Sequence, residues 1–323
     1  MIGLPKRGVK TASPRIGGGV GFARTAARVL ARDKYLLLLI APTVIYYVLF
    51  HYMPMYGTLI AFVDYRPGTP VLSNEWVGLK WFVEFWSSIF FTRLFMNTLI
   101  LSVQTIVINF PMPIIFALLL NEVRHKPYKK VVQTISYMPY FISLVVVVGI
   151  LFNFMSVTDG VINNMRAAYG LERIDFLNDP ALFRPIYVST VVWQTFGWNS
   201  IIYLAALTSI DPVLYEAAEV DGAGRLMKLI SITLPGLAPI IVMMLILSLG
   251  RLMNVGFEMV LLMQKPSTYE TSDVISTYVY RRGILGGQFS FGAAVGLFNS
   301  VINLTLLVSA NTISRKLAGS SLW

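Results

Sequence analysis

Two ionisable side chains, Arg251 and Glu258, stand inside an apolar segment that covers residues 237–263. Charge in lipid is costly, so such groups face a partner or a cavity. Glu258 lies seven residues on, two turns along the same face. Two readings stand side by side. The pair helps to neutralise itself or finds partners on a neighbouring helix, although a direct contact across about 11 Å is strained. Alternatively Arg251 lines a passage and meets an acidic sugar. Trp193, Gln194, Trp198 and Asn199 cluster in a second apolar run, and Asn254 lies one turn from Arg251. Aromatic faces beside amides suit sugars: the ring stacks on C–H faces and the amide bonds hydroxyls. The same amides also serve helix–helix hydrogen bonding, worth about 0.6 kcal/mol each. Asn299 and Asn303 follow Gly292, Gly296 and Ser300 in the last apolar run. That spacing favours close packing, within the bundle or against a second subunit, with a lining role for the two asparagines secondary.

Other chemistries lack their residues. There is no cysteine, hence no disulfide or thiolate site, and with only His51 and His125 no metal centre is expected. No GxxxxGK[ST] occurs, so the chain itself is not expected to bind ATP and needs no cofactor. Asp221-Gly222-Ala223-Gly224-Arg225 resembles a membrane phosphotransferase motif, but no acid follows before Glu258.

The elements that position these groups are apolar. Of 323 residues 56% are hydrophobic and 13% charged, half the charge of an average soluble domain. Mean hydropathy is +0.67. Segments near 35–61, 95–120, 131–155, 186–208, 237–263 and 291–313 are each long enough to cross the hydrocarbon core. The class is therefore an all-α membrane protein of about six transmembrane helices. Residues 1–34 form a basic tail, 35–313 one transmembrane domain and 314–323 a second tail. With both tails and the loops 121–130 and 211–231 on the cytoplasmic side, sixteen Lys and Arg lie inside and nine outside, as the positive-inside rule requires. The +10 net charge is read as membrane orientation rather than nucleic-acid binding. In the first segment, Pro42 and Pro54 should kink the helix. The 156–185 loop lacks EF-hand spacing and reads as a surface loop.

Between the fourth and fifth segments lies Glu216–Pro235, EAAEVDGAGRLMKLISITLP. Asp211-Pro212 is a good helix start. Val213, Ala217 and Val220 share one face, with Glu216 and Glu219 on the next. Gly222 and Gly224 allow a turn, and a second short helix over 225–231 should run into Pro235. The shape, a small helix-turn-helix with an acidic solvent side, suits docking to another protein.

Glu216, Ala217, Ala218, Gly222, Ile232, Leu234 and Pro235 also fill every fixed place of the EAA loop of permease subunits in binding-protein-dependent ABC importers. Asp221-Gly222-Ala223 and Ile232–Pro235 resemble the carbohydrate branch, with Leu229 where that branch usually has Phe. The opening run from Tyr35, the Thr277–Gly283 stretch and the ending Ser314–Trp323 are similar to the polysaccharide and oligosaccharide subgroup. Within it the resemblance extends to permeases importing alginate oligosaccharides.

The resemblance implies a type I ABC importer permease fold in the bacterial inner membrane, with 211–235 as a cytoplasmic coupling loop. It implies a second permease, two ATPase subunits that hold ATP and Mg, and an extracytoplasmic solute-binding protein. Glu216 should then pair with a basic ATPase residue, and Ala217, Ala218, Asp221, Gly222, Ile232, Leu234 and Pro235 belong to the same coupling element. Trp76, Trp81 and Trp86 read as an interfacial belt, or else as a short helix that contacts the binding protein. The alternatives from other classes are a membrane enzyme of lipid or glycan assembly, which needs metal-binding acids, and an ion-coupled carrier, which needs intramembrane carboxylates beyond Glu258.

Overall fold

Proline decides where several of these helices start and where they widen. The computed structural model describes residues 33–318. The expected basic tail 1–34 lies almost wholly outside the described residues, as do 319–323. The chain divides into two compact units at Leu59/Ile60. In the first, α1 (Lys34–Tyr47) contains Pro42 and runs into a π turn at Val48–Tyr52. Pro54 has no N–H to give the carbonyl four residues back. The wider turn answers this: the Met53 N–H reaches Val48 instead, five residues back. The apolar helix Lys34–Phe62 is thereby 29 residues long, enough for a crossing.

The second unit is a bundle of short and long helices around α8. In order these are α2 (Lys80–Trp86), α3 (Phe91–Asn109), α4 (Pro111–Glu122), α5 (Lys126–Tyr137), α6 (Leu144–Met155), α7 (Val161–Ala168), α8 (Pro180–Thr208), α9 (Pro212–Val220), α10 (Arg225–Lys228), α11 (Leu234–Leu249), α12 (Phe257–Met263), α13 (Tyr269–Ser272), α14 (Ile275–Val279) and α15 (Phe289–Ala318). An isolated bridge between Val63 and Trp76 is the β feature among the described residues. α8 packs against α3, α4, α5 and α11, and α15 packs against α11 and α2. The 29 residues of α8 span about 44 Å, longer than the hydrocarbon core. Leu101, Tyr187, Val260 and Val274 form one core cluster; Phe85, Leu94, Met253 and Phe291 a second; Ala117, Tyr203 and Leu237 a third.

Four long apolar helices, together with two bent pairs, account for up to six spans. Two expected segments differ from simple crossings. The 131–155 run is broken: α5 and α6 meet at 99°. Pro139 starts a 3₁₀ turn, Ile142 is extended, and the Ser143 hydroxyl caps α6 by accepting the Val146 N–H. The 237–263 run shifts toward the N-terminus. Its helix is Arg225–Leu249, and it ends before Arg251. The short helix expected over 225–231 is not separate from the next span. A π turn at Leu229–Thr233 precedes Pro235 as another precedes Pro54, and it carries α10 into α11 without a stop.

The 62–94 and 156–185 loops are built from local bonds. The Trp81 indole donates to the Val63 carbonyl at 3.1 Å, and Trp76 stacks on Phe62. Asn163, fully buried, ties the 156–185 loop by donating to Ser156 and Ile174 and accepting the Ile174 N–H.

Gly197 is where α8 touches α5. A Cβ there would lie 2.0 Å from the Ser136 carbonyl oxygen and 2.6 Å from its carbon, both backbone atoms that cannot rotate away. Gly197→Ala is therefore expected to force the two helices apart and to cost about 1–3 kcal/mol. A thermal-unfolding midpoint in detergent equal to that of the wild type would refute this contact.

Candidate functional site

The 211–235 loop closes on itself through local chemistry. Asp211 caps α9 by accepting the Val213 N–H at 2.9 Å. At the other end Gly222 takes φ +75, the left-handed region that suits glycine. Its N–H bonds Glu219, and the Ala223 N–H reaches back to Ala218 at 2.8 Å, which together form a Schellman motif. Lys228 then clamps α10 to α9 by donating to Glu219 at 3.0 Å. That hydrogen bond, and behind it the ammonium charge, hold the Glu219 carboxyl below its ordinary value. A group depressed on folding steadies the loop above the ordinary carboxylate range, and its contribution fades as pH falls through the lowered value. Deeper in, Tyr215 and Thr233 share a hydrogen bond at 3.0 Å.

What this scaffold presents is an exposed face. Val220 is 89% exposed and Val213 61%, on a helix bent 68° away from α8. Glu216 is exposed beside them and has no ion pair among the described residues. Ala217, Asp221, Gly222 and Pro235 are exposed, whereas Ala218, Ile232 and Leu234 are half-buried. An exposed apolar stripe with an unpaired acid at its edge has the composition that suits protein docking.

Inside the bundle two adjoining cavities, of about 100 and 250 Å³, share Thr105, Ile106 and Ser248 as walls. They follow the seam between α3, α8 and α11. Of the residues expected to line a passage, Arg251 and Asn254 border the smaller of these cavities and Asn199 the larger. Arg251 is the one charged residue on either lining.

The remaining expected residues fall elsewhere. Gln194 is buried and donates to the Ile142 carbonyl, bracing the α5–α6 bend. Trp198 stacks on Tyr140 with centroids 4.7 Å apart and meets Phe141 edge-on, packing against that same bend. Trp193 and Glu258 are exposed but border neither cavity. Asn299 is buried away from both. Gly292 packs against Gly283 within the chain, whereas Gly296 and Ser300 face outward.

Arg251 and Glu258 do not share a helix face, because α11 ends at Leu249 and α12 begins only at Phe257. The cause comes from α15. Asn303 accepts the Met253 N–H at 2.9 Å and donates to the Asn254 side chain at 3.2 Å. Leu307 presses on Gly250 at the helix end. The side-chain amide thus replaces an intrahelical partner and fixes a turn through 250–256. Among the described residues neither Arg251 nor Glu258 has an ion pair.

Sequence reasoning missed Ser102, Thr105, Asn109 and Ser248, which complete the polar seam. Their signal was present: 102, 105 and 109 stand at i, i+3 and i+7, one face of α3. It also missed a buried ionic cluster at the end of α8 remote from α9. Asp273, 1% exposed, receives Arg281 at 2.6 Å and Arg93 at 3.2 Å. Arg184 joins through Asn97, to which it donates at 2.7 Å, and Asn97 in turn donates to the Asp273 carbonyl. Arg282 pairs with Glu84 nearby.

Comparison with known proteins agrees with this architecture. The family model described as "Binding-protein-dependent transport system inner membrane component" matches residues 109–319. The polygalacturonan/rhamnogalacturonan transport system permease protein YteP of Bacillus subtilis (strain 168) is 46% identical over 287 residues, 89% of each chain. A chain in the crystal structure of a bacterial ABC transporter involved in the import of the acidic polysaccharide alginate superposes with a TM-score of 0.84. It is 44% identical, over 91% of this chain and 99% of that one. A second crystal structure, the bacterial alginate ABC transporter in complex with alginate pentasaccharide-bound periplasmic protein, gives 0.85 at 43% identity with the same coverage. With a family model spanning most of its length and a relative 46% identical along nearly all of it, this chain belongs to the inner-membrane components of binding-protein-dependent transport systems, as a sugar ABC transport permease.

Proposed function

We propose that this permease carries acidic oligosaccharides across the bacterial inner membrane, driven by partner ATPases that dock on its 211–235 loop. The observation that carries the coupling role is the exposed α9 face: Val213, Val220 and Glu216 on a helix locked at both ends and bent out of the bundle. Such a rigid, self-closed element transmits a push to α8 and α11, to which it is joined on either side. ATP and Mg would be held by two ATPase subunits, since this chain has no P-loop. A second permease and an extracytoplasmic solute-binding protein complete the assembly, and both termini lie in the cytoplasm, in keeping with the distribution of Lys and Arg. Uronic-acid polymers are named for two of its relatives, polygalacturonan for YteP and alginate for the transporter of known structure. An acidic oligosaccharide is therefore the substrate class that fits best.

The test is isolation of the tagged chain from its native membrane in mild detergent, with mass spectrometry of what accompanies it. A P-loop ATPase and a second permease in fixed ratio are the expected companions. Recovery of the chain alone, under conditions that keep another ABC complex intact, would overturn the reading.

A further inference from the structure

We infer that the 250–256 turn forms a carboxylate subsite in the translocation path, in which Arg251 receives a uronate of the passing sugar and Asn303 holds the turn in place. The inference rests on the proposed acidic substrate and adds the residues that would recognise it. Three observations carry it.

The first is the setting of the charge. Arg251 lines the 100 Å³ cavity together with Ser102, Ser248 and Asn254, with no acid on that lining. Its guanidinium has no ion pair among the described residues, so its fork of donors is available to an incoming anion. Guanidinium and carboxylate match as a planar, two-bond pair, whereas a neutral hydroxymethyl offers neither the charge nor the second acceptor.

The second is a hydroxyl left without work. Thr98 and Thr105 on α3 turn their hydroxyls back to carbonyls of their own helix, at 2.7 Å each. Ser102, on the same helix and 6% exposed, does not: its Oγ is buried with no partner and lies on the wall of the Arg251 cavity. A buried, unmatched hydroxyl is costly unless something occupies the cavity to bond it. A sugar hydroxyl beside the bound carboxylate supplies that bond.

The third is the device that places the arginine. In a continuous helix residue 251 would follow the path of α11. The Asn303 side chain instead captures the Met253 N–H and the Asn254 amide, and it ends the helix two residues before Arg251. Asn303 is 9% exposed and borders neither cavity. It is a positioning residue: it fixes the turn and touches no substrate.

The experiment uses the assembled complex in proteoliposomes. Uptake of a galacturonate oligosaccharide and an alginate oligosaccharide is compared with that of their carboxyl-reduced, neutral counterparts. Arg251→Gln is expected to lower the acid-to-neutral ratio of uptake rates about tenfold or more, the worth of one charge-assisted hydrogen-bonded pair. Arg251→Lys should keep part of the ratio, because it keeps the charge and loses the fork. Asn303→Ala should lower the same ratio although residue 251 is still arginine, which a purely structural role would not do, since loss of fold slows both sugars alike. An unchanged ratio in Arg251→Gln, with wild-type complex that prefers the acid, overturns the subsite. Loss of the second permease from the purified variant also overturns it, by making Arg251 an interface residue. Wild-type complex that takes only the neutral sugars refutes the proposed substrate class itself, and that failure is visible before any variant is made.

Discussion

Glu216→Lys is expected to reduce substrate-driven ATP hydrolysis and uptake by the assembled complex about a hundredfold or more, while this chain folds as before. The second half of that expectation comes from the construction of α9. Its start depends on Asp211, its end on Gly222 and Ala223, and its clamp on Glu219 with Lys228. Glu216 takes part in none of these and is exposed, so reversing its charge should cost the fold little. The first half comes from what a docked face does to charge. Once a partner covers Val213 and Val220, Glu216 leaves water and must be matched. A lysine set against a cation that matched glutamate costs several kcal/mol, and each 1.4 kcal/mol is a factor of ten. Glu216→Gln, which removes the charge without reversing it, should lie between. Gly222→Val tests the same lever by geometry: a β-branched residue at φ +75 is strained by about 1–2 kcal/mol and would unlock the Schellman turn without touching the docking face. Full coupled activity in Glu216→Lys would remove α9 from the coupling path.

The loop could be read from sequence because its structure is local. Cap, turn glycine and acidic face all lie within about twenty-five residues, and each acts through its nearest neighbours. Hydropathy likewise marked the spans, though not their ends. The short helix over 225–231 reads as separate from the next span, and only the three-dimensional helix reveals that a π turn carries it past Pro235. The break at 250–256 was hidden for a different reason. Gly250, Asn254 and Gly256 hint at weakness, but the helix ends there because Asn303, about fifty residues later, supplies the replacement bonds. With it went the expected pairing of Arg251 and Glu258. The candidate passage was partly legible on the same terms. Asn199, Arg251 and Asn254 stood out as polar groups in apolar runs, and they border two adjoining cavities, Asn199 the one and Arg251 with Asn254 the other. Gln194 and Trp198 looked equally suited to sugar, yet they brace the α5–α6 bend, a feature that a hydropathy profile reads as one straight span. The serines and threonines of α3 were passed over because small hydroxyls are common in membrane helices. Their periodicity, rather than their polarity, is what separates them.

Asp273→Ala is expected to destabilise the chain by about 3–5 kcal/mol, toward the lower end because its two arginines keep some contact with solvent. The carboxylate is 1% exposed, with Arg281 at 2.6 Å and Arg93 at 3.2 Å. Those partners come from opposite ends of the bundle's sequence, 180 residues apart on one side and 8 on the other. Without Asp273 two guanidinium groups confront each other across a buried gap. Each already has one buried nitrogen without a partner, Arg93 Nε and Arg281 Nη1, so loss of Asp273 adds to an existing shortfall of acceptors. Asp273→Asn keeps the shape and one acceptor and should lose less. Arg281→Met alone should also cost less than Asp273→Ala, because it leaves Asp273 paired with Arg93, although it gives up the guanidinium that lies over Tyr269. Thermal unfolding in detergent decides the matter: a midpoint for Asp273→Ala within about a degree of wild type would mean that the pair is worth no more than a surface salt bridge. The double variant Asp273→Ala with Arg281→Met should recover part of the loss, since the remaining cation then stands alone rather than against another. A recovery of that kind would show that the cost lies in uncompensated charge and not in a lost cavity. It would also identify what holds α3 to the 269–281 segment, and through Asn97 and Arg184 to α8, two of the helices that flank the polar seam.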